Sequence, residues 1–374
     1  MNDFMTLVQS TLPEAQFAGW ILDDSETRWP LTDSGDDAGE RRIVWHYNKH
    51  RPAYNTVLVT VDAGQEWRSL LGDKALSVAH GGNLWVAGLG ISVADLVRAV
   101  QQCSEWRMVI AEEQGASALV CALGNGEGEH SPAVSVVVPT VQHAYLPRFF
   151  ATHRSLQRGR AEYVVVSNGT ERWDLGQMLT LRPDVFVHFQ EPLGFPRACN
   201  VGAGLARLAS EVLVLANDDT EMTLFGWDSR VWEIADGERD LGAVAPVLSS
   251  IGNRWQLHGA VPVPDLYEAP VLFYAWVAFP RAVWEDVGGL NEAFGLGNGE
   301  DIDHSLRIRL SGRRLLVDPV TAVYHRVHGT FDLMTPVQFN AALAQAASVL
   351  RATWGDKLAE LAPEVGQWAN EQHT

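Results

Sequence analysis

Short apolar runs separated by polar turns set the pattern of the chain beyond residue 131. Several of these runs predict strands: AVSVVVPT, AEYVVVSNGT, DVFVHFQ, EVLVLANDD and RLLVDP. Between them, YLPRFFATHRSLQRG and RACNVGAGLARLA have the apolar spacing of helices. Strands that alternate with helices and are apolar throughout are typical of a parallel sheet covered on both faces. The pattern therefore predicts an α/β domain.

The first 130 residues predict a smaller α/β domain. NTVLVTVDAG, NLWVAGLG, MVIAEE and ASALVCALG have the apolar content of strands. SVADLVRAVQQCSEW has helical spacing, and Ser92 with Asp95 predicts a capping box at its start. We interpret residues 21 to 42, which are mostly polar, as a solvated loop.

The stretch NGEGEHSP, residues 125 to 132, predicts a domain junction because it is polar, contains glycine and ends in proline. The predicted organisation is a small α/β domain at 1–130, a larger one at 131–334, and C-terminal packing helices at 335–374. Thr335 and Pro336 give the first of these helices a capping residue and a favourable first position.

Composition narrows the class of protein without naming a function. The chain has 374 residues, 47% of them hydrophobic and 20% charged, which is typical of a globular protein. Its net charge of −18 argues against stable nucleic-acid binding, which needs a basic face. No apolar run approaches the about 20 residues that a membrane span needs, so we expect a cytoplasmic protein. The three cysteines are too widely spaced for a metal knuckle.

Two weak motifs in the first domain favour structural interpretations. VAGLGISVAD offers Gly88 and Gly90 before a helix but lacks the third glycine of a dinucleotide site, so a tight strand-to-helix turn is favoured. His46 and His50 are spaced like two metal ligands on a helix, yet Pro52 would end that helix and no third ligand is near.

Three predicted strands of the larger domain end in polar or turn residues. These ends are Pro139-Thr140, Ser167-Asn168-Gly169-Thr170 and Asn217-Asp218-Asp219. Ligands of parallel α/β sheets bind at the carboxyl ends of the strands, so these residues are expected to share one crevice.

The adjacent carboxylates of Asp218 and Asp219 need a compensating partner, because they repel each other and lose solvation in a crevice. Mg²⁺ or Mn²⁺ would serve, since such cations often take one or two carboxylates and complete their coordination with a bound phosphate. The alternative is a capped turn in which both side chains accept from the amides of Thr220 and Glu221.

GNGEDIDHSLRIRLSG predicts a flexible glycine-rich loop followed by a helix. Leu306 and Leu310 would form its inward stripe. Asp301 lies in the first helical turn, where the helix dipole favours carboxylates, so a helix-start acid and a catalytic base both remain open. We interpret Arg307 and Arg309 as ion-pairing residues on this helix.

These segments, in this order and spacing, resemble the family-two nucleotide-sugar glycosyltransferases of the GT-A fold, particularly the rhamnosyltransferase-like branch. The resemblance covers about 200 residues, from Ser131 to roughly Thr330. It implies a Rossmann-like, mostly parallel sheet with helices on both faces. It also implies an inverting hexosyltransferase that moves a sugar from a nucleoside-diphosphate sugar to an acceptor hydroxyl, with Mn²⁺ or Mg²⁺ as cofactor.

The resemblance also implies a role for individual residues. The metal would be bound by Asp219, assisted by His325 in a loop after RLLVDP. Asp301 would accept the proton of the acceptor hydroxyl. The nucleotide sugar would be contacted by Pro139, Thr140, Ser167, Asn168, Asn200, Asn217 and Asp218.

One departure from the family leaves the donor base open: Ser167 stands where the family usually has an aspartate facing the base, so uridine, thymidine and guanosine donors all remain. Two other functions also remain. A sugar-nucleotide nucleotidyltransferase would normally carry a glycine-rich loop after its first strand, and VPTVQHAYLPR has no glycine. A nucleotide- or sugar-binding protein without catalysis is the other. Most of the tryptophans are expected in the core or at the domain junction, with Trp276 as the one candidate to line the acceptor side, and we interpret His328 as solvated.

Overall fold

The computed structural model describes residues 21–23, 43–44, 54–63, 66–76, 78–126, 133–159, 161–169, 173–249, 254–257, 265–326 and 335–363. Predictions for His46, His50 and His328 lie outside these ranges. The chain forms two compact units, one of Met1–His130 with Trp173–Gln190 and one of Ser131–Arg172 with Glu191–Thr374. Residues 173–190 thus group with the first unit, and the division into domains at 130 stays a proposal.

The strands are β1 Ile21–Asp23, β2 Ile43–Val44, β3 Tyr54–Asp62, β4 Val78–Leu89, β5 Trp106–Gln114, β6 Ser117–Asn125, β7 Val134–Thr140, β8 Ala161–Asn168, β9 Val185–Phe189, β10 Val212–Ala216, β11 Thr220–Met222, β12 Leu241–Leu248, β13 Tyr267–Glu268, β14 Trp276–Pro280 and β15 Arg314–His325. The α-helices are α1 Trp67–Ala75, α2 Val93–Cys103, α3 Leu146–Leu156, α4 Leu175–Leu181, α5 Phe195–Leu205, α6 Trp227–Gly237, α7 Arg281–Val287, α8 Glu300–Leu310, α9 Pro336–Trp354 and α10 Asp356–Leu361. Two 3₁₀ turns lie at His143–Tyr145 and Glu292–Phe294.

The first unit contains a mixed sheet. Strands β2, β1, β3 and β4 run parallel, β4, β6 and β5 are antiparallel neighbours, and β9 pairs with β5 in parallel. Residues 21–23 form β1, so the loop predicted at 21–42 does not begin there. Ser92 caps α2 as predicted by accepting from the backbone of Asp95 at 3.1 Å, although the Asp95 carboxylate accepts from the Ser92 hydroxyl and not from a backbone amide.

The sheet of the second unit has the order β11-β15-β12-β14-β10-β7-β8, with β13 beside β15. Strands β8, β7 and β10 are parallel, and so are β12 and β15. Strand β14 runs antiparallel to both of its neighbours, β10 and β12. The predicted α/β class is confirmed, but the sheet is mixed because of β14.

Every residue of β7, β8, β10 and β12 is buried, as expected for strands covered on both faces. Helix α5 packs against β7 and β8, and α8 packs against β12 and β15. On α8 Leu306 is fully buried, whereas Leu310 is 59% exposed, so the predicted inward stripe includes only the first of these leucines.

The C-terminal helices α9 and α10 pack against α8. Thr335 and Gln338 form a complete capping box at the start of α9, with Pro336 in the first turn. Buried residues of α9 and α10 share one apolar cluster with Phe294 and Leu306. Among the described residues, no helix is long and apolar enough to cross a membrane.

Candidate functional site

The carboxyl ends of β7 and β10 are joined by a side-chain hydrogen bond. The Thr140 hydroxyl, at the end of β7, donates to Oδ2 of Asp218 at 2.5 Å. Burial raises the pKa of Asp218 to about 8, and the charge of Asp219 beside it adds to this shift. The hydrogen bond from Thr140 to Asp218 therefore fixes the two strand ends to each other.

The turn after β10 is closed mainly by its backbone. The N–H and hydroxyl of Thr220 both donate to the carbonyl of Asn217, at 3.2 and 2.6 Å. The Asp218 carboxyl accepts from the backbone of Asp218 and Asp219 and from Thr140. The amides of Thr220 and Glu221 are therefore not the partners that hold Asp218, as a capped turn would require.

Asp219 meets His325 at this edge of the sheet. His325 is the last residue of β15, where it pairs in register with Thr220, so its predicted position in a loop is wrong. Its Nε2 lies 3.4 Å from Oδ1 of Asp219, and both side chains are 8% exposed. The backbone of Arg326 donates to the carbonyl of Asp219 at 3.0 Å, which fixes the β15 end against the turn.

The residues of this edge fit a divalent cation that takes only part of its coordination from the protein. Among the described residues no cluster of three or more His, Cys, Asp or Glu could hold a metal alone. Within the same ranges, Oδ1 of Asp219 and Oδ1 of Asn217 are buried and accept no hydrogen bond. A carboxylate beside an imidazole suits Mn²⁺, with phosphate oxygens and water as the remaining ligands.

The neighbouring strand ends form a polar pocket wall. Oγ of Ser167, at the end of β8, lies 2.7 Å from Nε2 of His143, and both residues are buried. Asn168 Oδ1 accepts from the backbone of Leu193 at 2.6 Å. Pro139 lies in register with Val166 of β8. His143 is absent from the residues predicted from the sequence, because no spacing rule connects it with Ser167, which follows it by 24 positions.

The side chain of Asn200 on α5 hydrogen-bonds to the backbone of a neighbouring segment. Its side chain donates to the carbonyl of Leu290 at 2.8 Å and accepts from the N–H of the same residue at 2.8 Å. It also donates to Glu292 at 3.0 Å. Asn200 thus anchors the chain ahead of the glycine-rich loop, and its predicted contact with a nucleotide sugar stays a prediction.

The glycine-rich loop passes close to the start of α5. Gly194 caps α5 with φ of 79°, and a Cβ at this position would overlap the carbonyl oxygen of Gly295. An L side chain is therefore excluded both by the backbone conformation and by the facing loop. The loop ends at Gly299, which is the N-cap of α8.

Two carboxylates begin α8. Glu300 is 6% exposed, and its Oε2 has no hydrogen-bond donor among the described residues. Asp301 Oδ1 accepts from the backbone of Ile302 at 2.8 Å, and the backbone of Tyr274 also hydrogen-bonds this carboxylate. Burial raises the pKa of Asp301, and burial together with the Asp301 charge raises that of Glu300.

The segment Phe273–Ala275, which leads into β14, contacts the end of β15, the start of α8 and the turn after β10. The Phe273 ring lies 5.9 Å from the ring of His325, measured between centroids. The backbone of Tyr274 hydrogen-bonds Asp301, and the carbonyl of Ala275 accepts from the N–H of Asn217 at 2.8 Å. Three consecutive residues thus contact the histidine, the carboxylate at the start of α8 and the turn after β10. The segment therefore lies against His325, Asp301 and Asn217.

Other residues singled out in the sequence have structural positions. Asp303 accepts from Arg307 at 2.9 Å, so the ion pair predicted for Arg307 is confirmed, whereas Arg309 donates to the carbonyls of Pro270 and Leu361. Trp276 is 1% exposed and packs edge-on against Trp227, with 5.8 Å between ring centroids. Its predicted place on the acceptor side is therefore wrong.

The comparisons with known proteins give distant similarities. No family model matches the chain. It is 26% identical over 228 residues to the uncharacterized protein y4gI of Sinorhizobium fredii (strain NBRC 101917 / NGR234), a match that spans 53% of this chain and only 25% of that protein.

Solved structures with a similar fold are those of nucleotide-sugar glycosyltransferases. A structure of GalNAc-T7 with UDP, GalNAc and Mn²⁺ is 17% identical, with a TM-score of 0.48 over 66% of this chain and 55% of that one. The mannosyltransferase PcManGT of Pyrobaculum calidifontis, with GDP-Man and Mn²⁺, is 19% identical, with a TM-score of 0.44 over 61% and 65%. Residues 1–349 of TarS from S. aureus are 15% identical, with a TM-score of 0.40 over 61% and 74%. At such distances, the chemistry of this chain is argued from its own residues.

Proposed function

We propose that the second unit is a metal-dependent glycosyltransferase that moves a sugar from a nucleoside-diphosphate sugar to an acceptor hydroxyl. One observation carries the proposal: Phe273–Ala275 contacts His325, Asp301 and Asn217, and so links a cation-binding edge to a partly exposed carboxylate. Sugar transfer needs both parts, since the departing diphosphate gains negative charge and the attacking hydroxyl must lose a proton.

The residues divide between these two tasks. Asp219 and His325 would hold Mn²⁺ or Mg²⁺, which when bound supplies positive charge to the diphosphate. Thr140 and Ser167, in register on adjacent strands, would line the nucleotide pocket with Pro139 and Asn168. Asp218 would act by joining the ends of β7 and β10, because its oxygen is taken by Thr140.

Asp301 would remove the proton from the acceptor hydroxyl. A general base works best when its pKa lies near the working pH, and burial moves the pKa of Asp301 in that direction. A single base without an enzymic nucleophile gives inversion at the anomeric carbon, so we propose an inverting reaction through an oxocarbenium-like transition state. The hexosyltransferase type and the rhamnosyltransferase-like branch belong to the same proposal.

Two measurements test this function. The first is a thermal-shift screen of UDP, dTDP and GDP with and without Mn²⁺, because a ligand at 100 times its Kd raises folding stability by about 2.7 kcal/mol. We expect one diphosphate to stabilise the protein in Mn²⁺ and to lose this effect in chelator.

The second measurement identifies the product formed from the matching nucleotide sugar. A glycosyltransferase releases nucleoside diphosphate, slowly with water and faster with acceptor. A binding protein releases nothing. A nucleotidyltransferase needs pyrophosphate to run in reverse, and it then forms nucleoside triphosphate and sugar 1-phosphate from the nucleotide sugar. No nucleoside diphosphate after prolonged incubation with acceptor pools and Mn²⁺ would refute the proposal.

A further inference from the structure

Helix α9 makes a buried polar contact with the helix that Asp301 begins. Nε1 of Trp354, the last residue of α9, donates to Oδ1 of Asp303 at 3.0 Å. Asp303 is 1% exposed, and its other oxygen accepts from Arg307 at 2.9 Å. Both oxygens of this carboxylate are therefore held, one of them by the C-terminal helix. Asp303 lies two residues after Asp301 in the first turn of α8.

The same helix contacts the glycine-rich loop on both of its sides. Nε2 of Gln345 donates at 3.1 Å to the carbonyl of Ala293, which lies in the 3₁₀ turn just ahead of the loop. At the far side, a Cβ on Gly299 would lie 3.0 Å from the Phe294 ring and 3.3 Å from Cδ1 of Leu350. One helix therefore packs against the residue before the loop and the residue at its end.

The far end of α8 is held by the C-terminal segment as well. Nη1 of Arg309 donates to the carbonyl of Leu361, the last residue of α10, at 2.7 Å. It also donates at 3.2 Å to the carbonyl of Pro270, in the chain that leads to Phe273–Ala275. The C-terminal helices thus contact α8 at its first turn and near its last, and the loop at both of its ends.

We propose that Trp354 and Gln345 are positioning residues for the proposed transfer reaction, and that α9 sets the place of the glycine-rich loop and of Asp301. The proposal rests on the function assigned to Asp301 above. Helix packing needs only the apolar stripe that α9 already has, whereas these two polar contacts fix the chain immediately before and after the loop. A displacement of about 1 Å at a reacting group can cost up to 100-fold in rate.

The test compares two tryptophan variants that each lose one indole donor. Trp354→Phe keeps an aromatic ring in the apolar cluster but cannot donate to Asp303. Trp232→Phe is the matched control, because it also removes one indole donor. Nε1 of Trp232 donates to Glu211 at 2.8 Å, and Glu211 lies just before β10, at the end of the strand away from Asp219. For each full-length protein, kcat and the KM for donor are measured, with hydrogen exchange of residues 295–302.

We expect Trp354→Phe to lower kcat by roughly 10- to 100-fold, with little change in the KM for donor and with faster exchange at 295–302. Trp232→Phe should change neither quantity. If Trp354→Phe keeps kcat within twofold of wild type and the same exchange rates, the proposal is overturned.

A second variant, Gln345→Leu, covers the case in which Trp354→Phe does not fold, and hydrogen exchange covers the case in which no transfer activity is found. If Trp354→Phe does not fold, Gln345→Leu replaces it, since Gln345 is exposed and the change removes its hydrogen bond to Ala293. The same fall in kcat and faster exchange are expected, and wild-type values for both would overturn the proposal. If the wild-type protein transfers no sugar, the proposed function fails, while exchange at 295–302 still decides whether α9 orders the loop.

Discussion

Replacing Asp301 by asparagine separates its catalytic role from a helix-start role. Asparagine keeps the shape of the side chain and the oxygen that accepts from Ile302 at 2.8 Å, but it cannot take a proton at neutral pH. Loss of general-base assistance typically costs about 10² to 10⁴ in rate, which corresponds to about 3 to 5 kcal/mol of activation free energy. Donor affinity should stay near wild type because the cation edge at Asp219 is untouched.

A helix-start role predicts the opposite pattern. Losing a carboxylate at a helix N-terminus costs about 0.3 to 1 kcal/mol of stability and leaves turnover unchanged. The matched control is Asp228→Asn, because Asp228, like Asp301, is the second residue of a helix with a glycine N-cap, α6. Its oxygens accept from the backbone of Arg158 and Gly159 at 2.7 Å each, so this variant should lose stability and keep turnover.

The assay measures nucleoside diphosphate released with acceptor, donor Kd by calorimetry, and melting temperature for wild type and both variants. The pH dependence of kcat gives a further test. Because burial raises the pKa of Asp301, kcat should fall towards acid at a pH above the ordinary pKa of an aspartate, about 3.9. Asp301→Asn should lack this limb. Turnover of Asp301→Asn within a few-fold of wild type would refute the assignment and move the search for the base to Glu300.

Stability should respond to pH in the direction set by the same shift. A carboxyl whose pKa is higher in the folded state binds more protons there than in the unfolded chain. Ionising Asp301 therefore costs folding free energy as pH rises from its unfolded to its folded pKa. Relative to Asp301→Asn, the wild-type protein should lose melting temperature across this window.

Three further outcomes follow from individual contacts. Asp219→Ala should abolish the Mn²⁺-dependent part of diphosphate binding in calorimetry, whereas Asp286→Ala, at a 62% exposed side chain, should leave it intact. Asp318→Asn should cost about 3 kcal/mol in urea unfolding because it breaks a buried pair. Burial opposes the ionisation of Asp318, but hydrogen bonds from Arg230 and Thr321 hold the pKa of its carboxyl low. The stability that this carboxylate contributes is therefore present above its pKa in the unfolded chain and is lost as pH falls through its pKa in the folded protein. Gly194→Ala should lower the melting temperature by at least about 2 °C, because its φ is 79° and the facing loop leaves no space for a methyl group; an unchanged melting temperature would contradict the close approach.

Several strands and helices of the second unit were predictable because each has a strong apolar pattern. Val134–Thr140 and Val212–Ala216 lie within the segments predicted for them, whereas the helix Phe195–Leu205 begins two residues before its predicted segment. The neighbours β7, β10 and β8 run in parallel, so the polar residues that follow them lie at the same edge of the sheet, and their sharing one crevice stays a prediction. The local sequence pattern is enough to predict an element that is buried throughout and is followed by a polar turn.

Features set by long-range contacts were not predictable in this way. Nothing in WVAFP indicates that β14 runs antiparallel between β10 and β12, because a buried strand has the same composition in either direction. The histidine at the end of β15 follows a strand that continues beyond Pro319, where the sequence favours a stop. The pairing of His143 with Ser167 joins residues that are 24 positions apart and share no motif.

The direction of the strands also offers a practical site for attaching a probe. The carboxyl ends of β7 and β10 lie at one end of the sheet, so the turns that lead into the parallel strands lie at the other end. Gly237, the last residue of α6, lies in such a turn, just before β12; it is exposed, and a Cβ there would meet no atom within 4 Å. Two of the three native cysteines are buried and the third is half-buried. A cysteine introduced at Gly237 should therefore take a fluorophore or a surface tether selectively, at the end of the sheet away from Thr140 and Asp219.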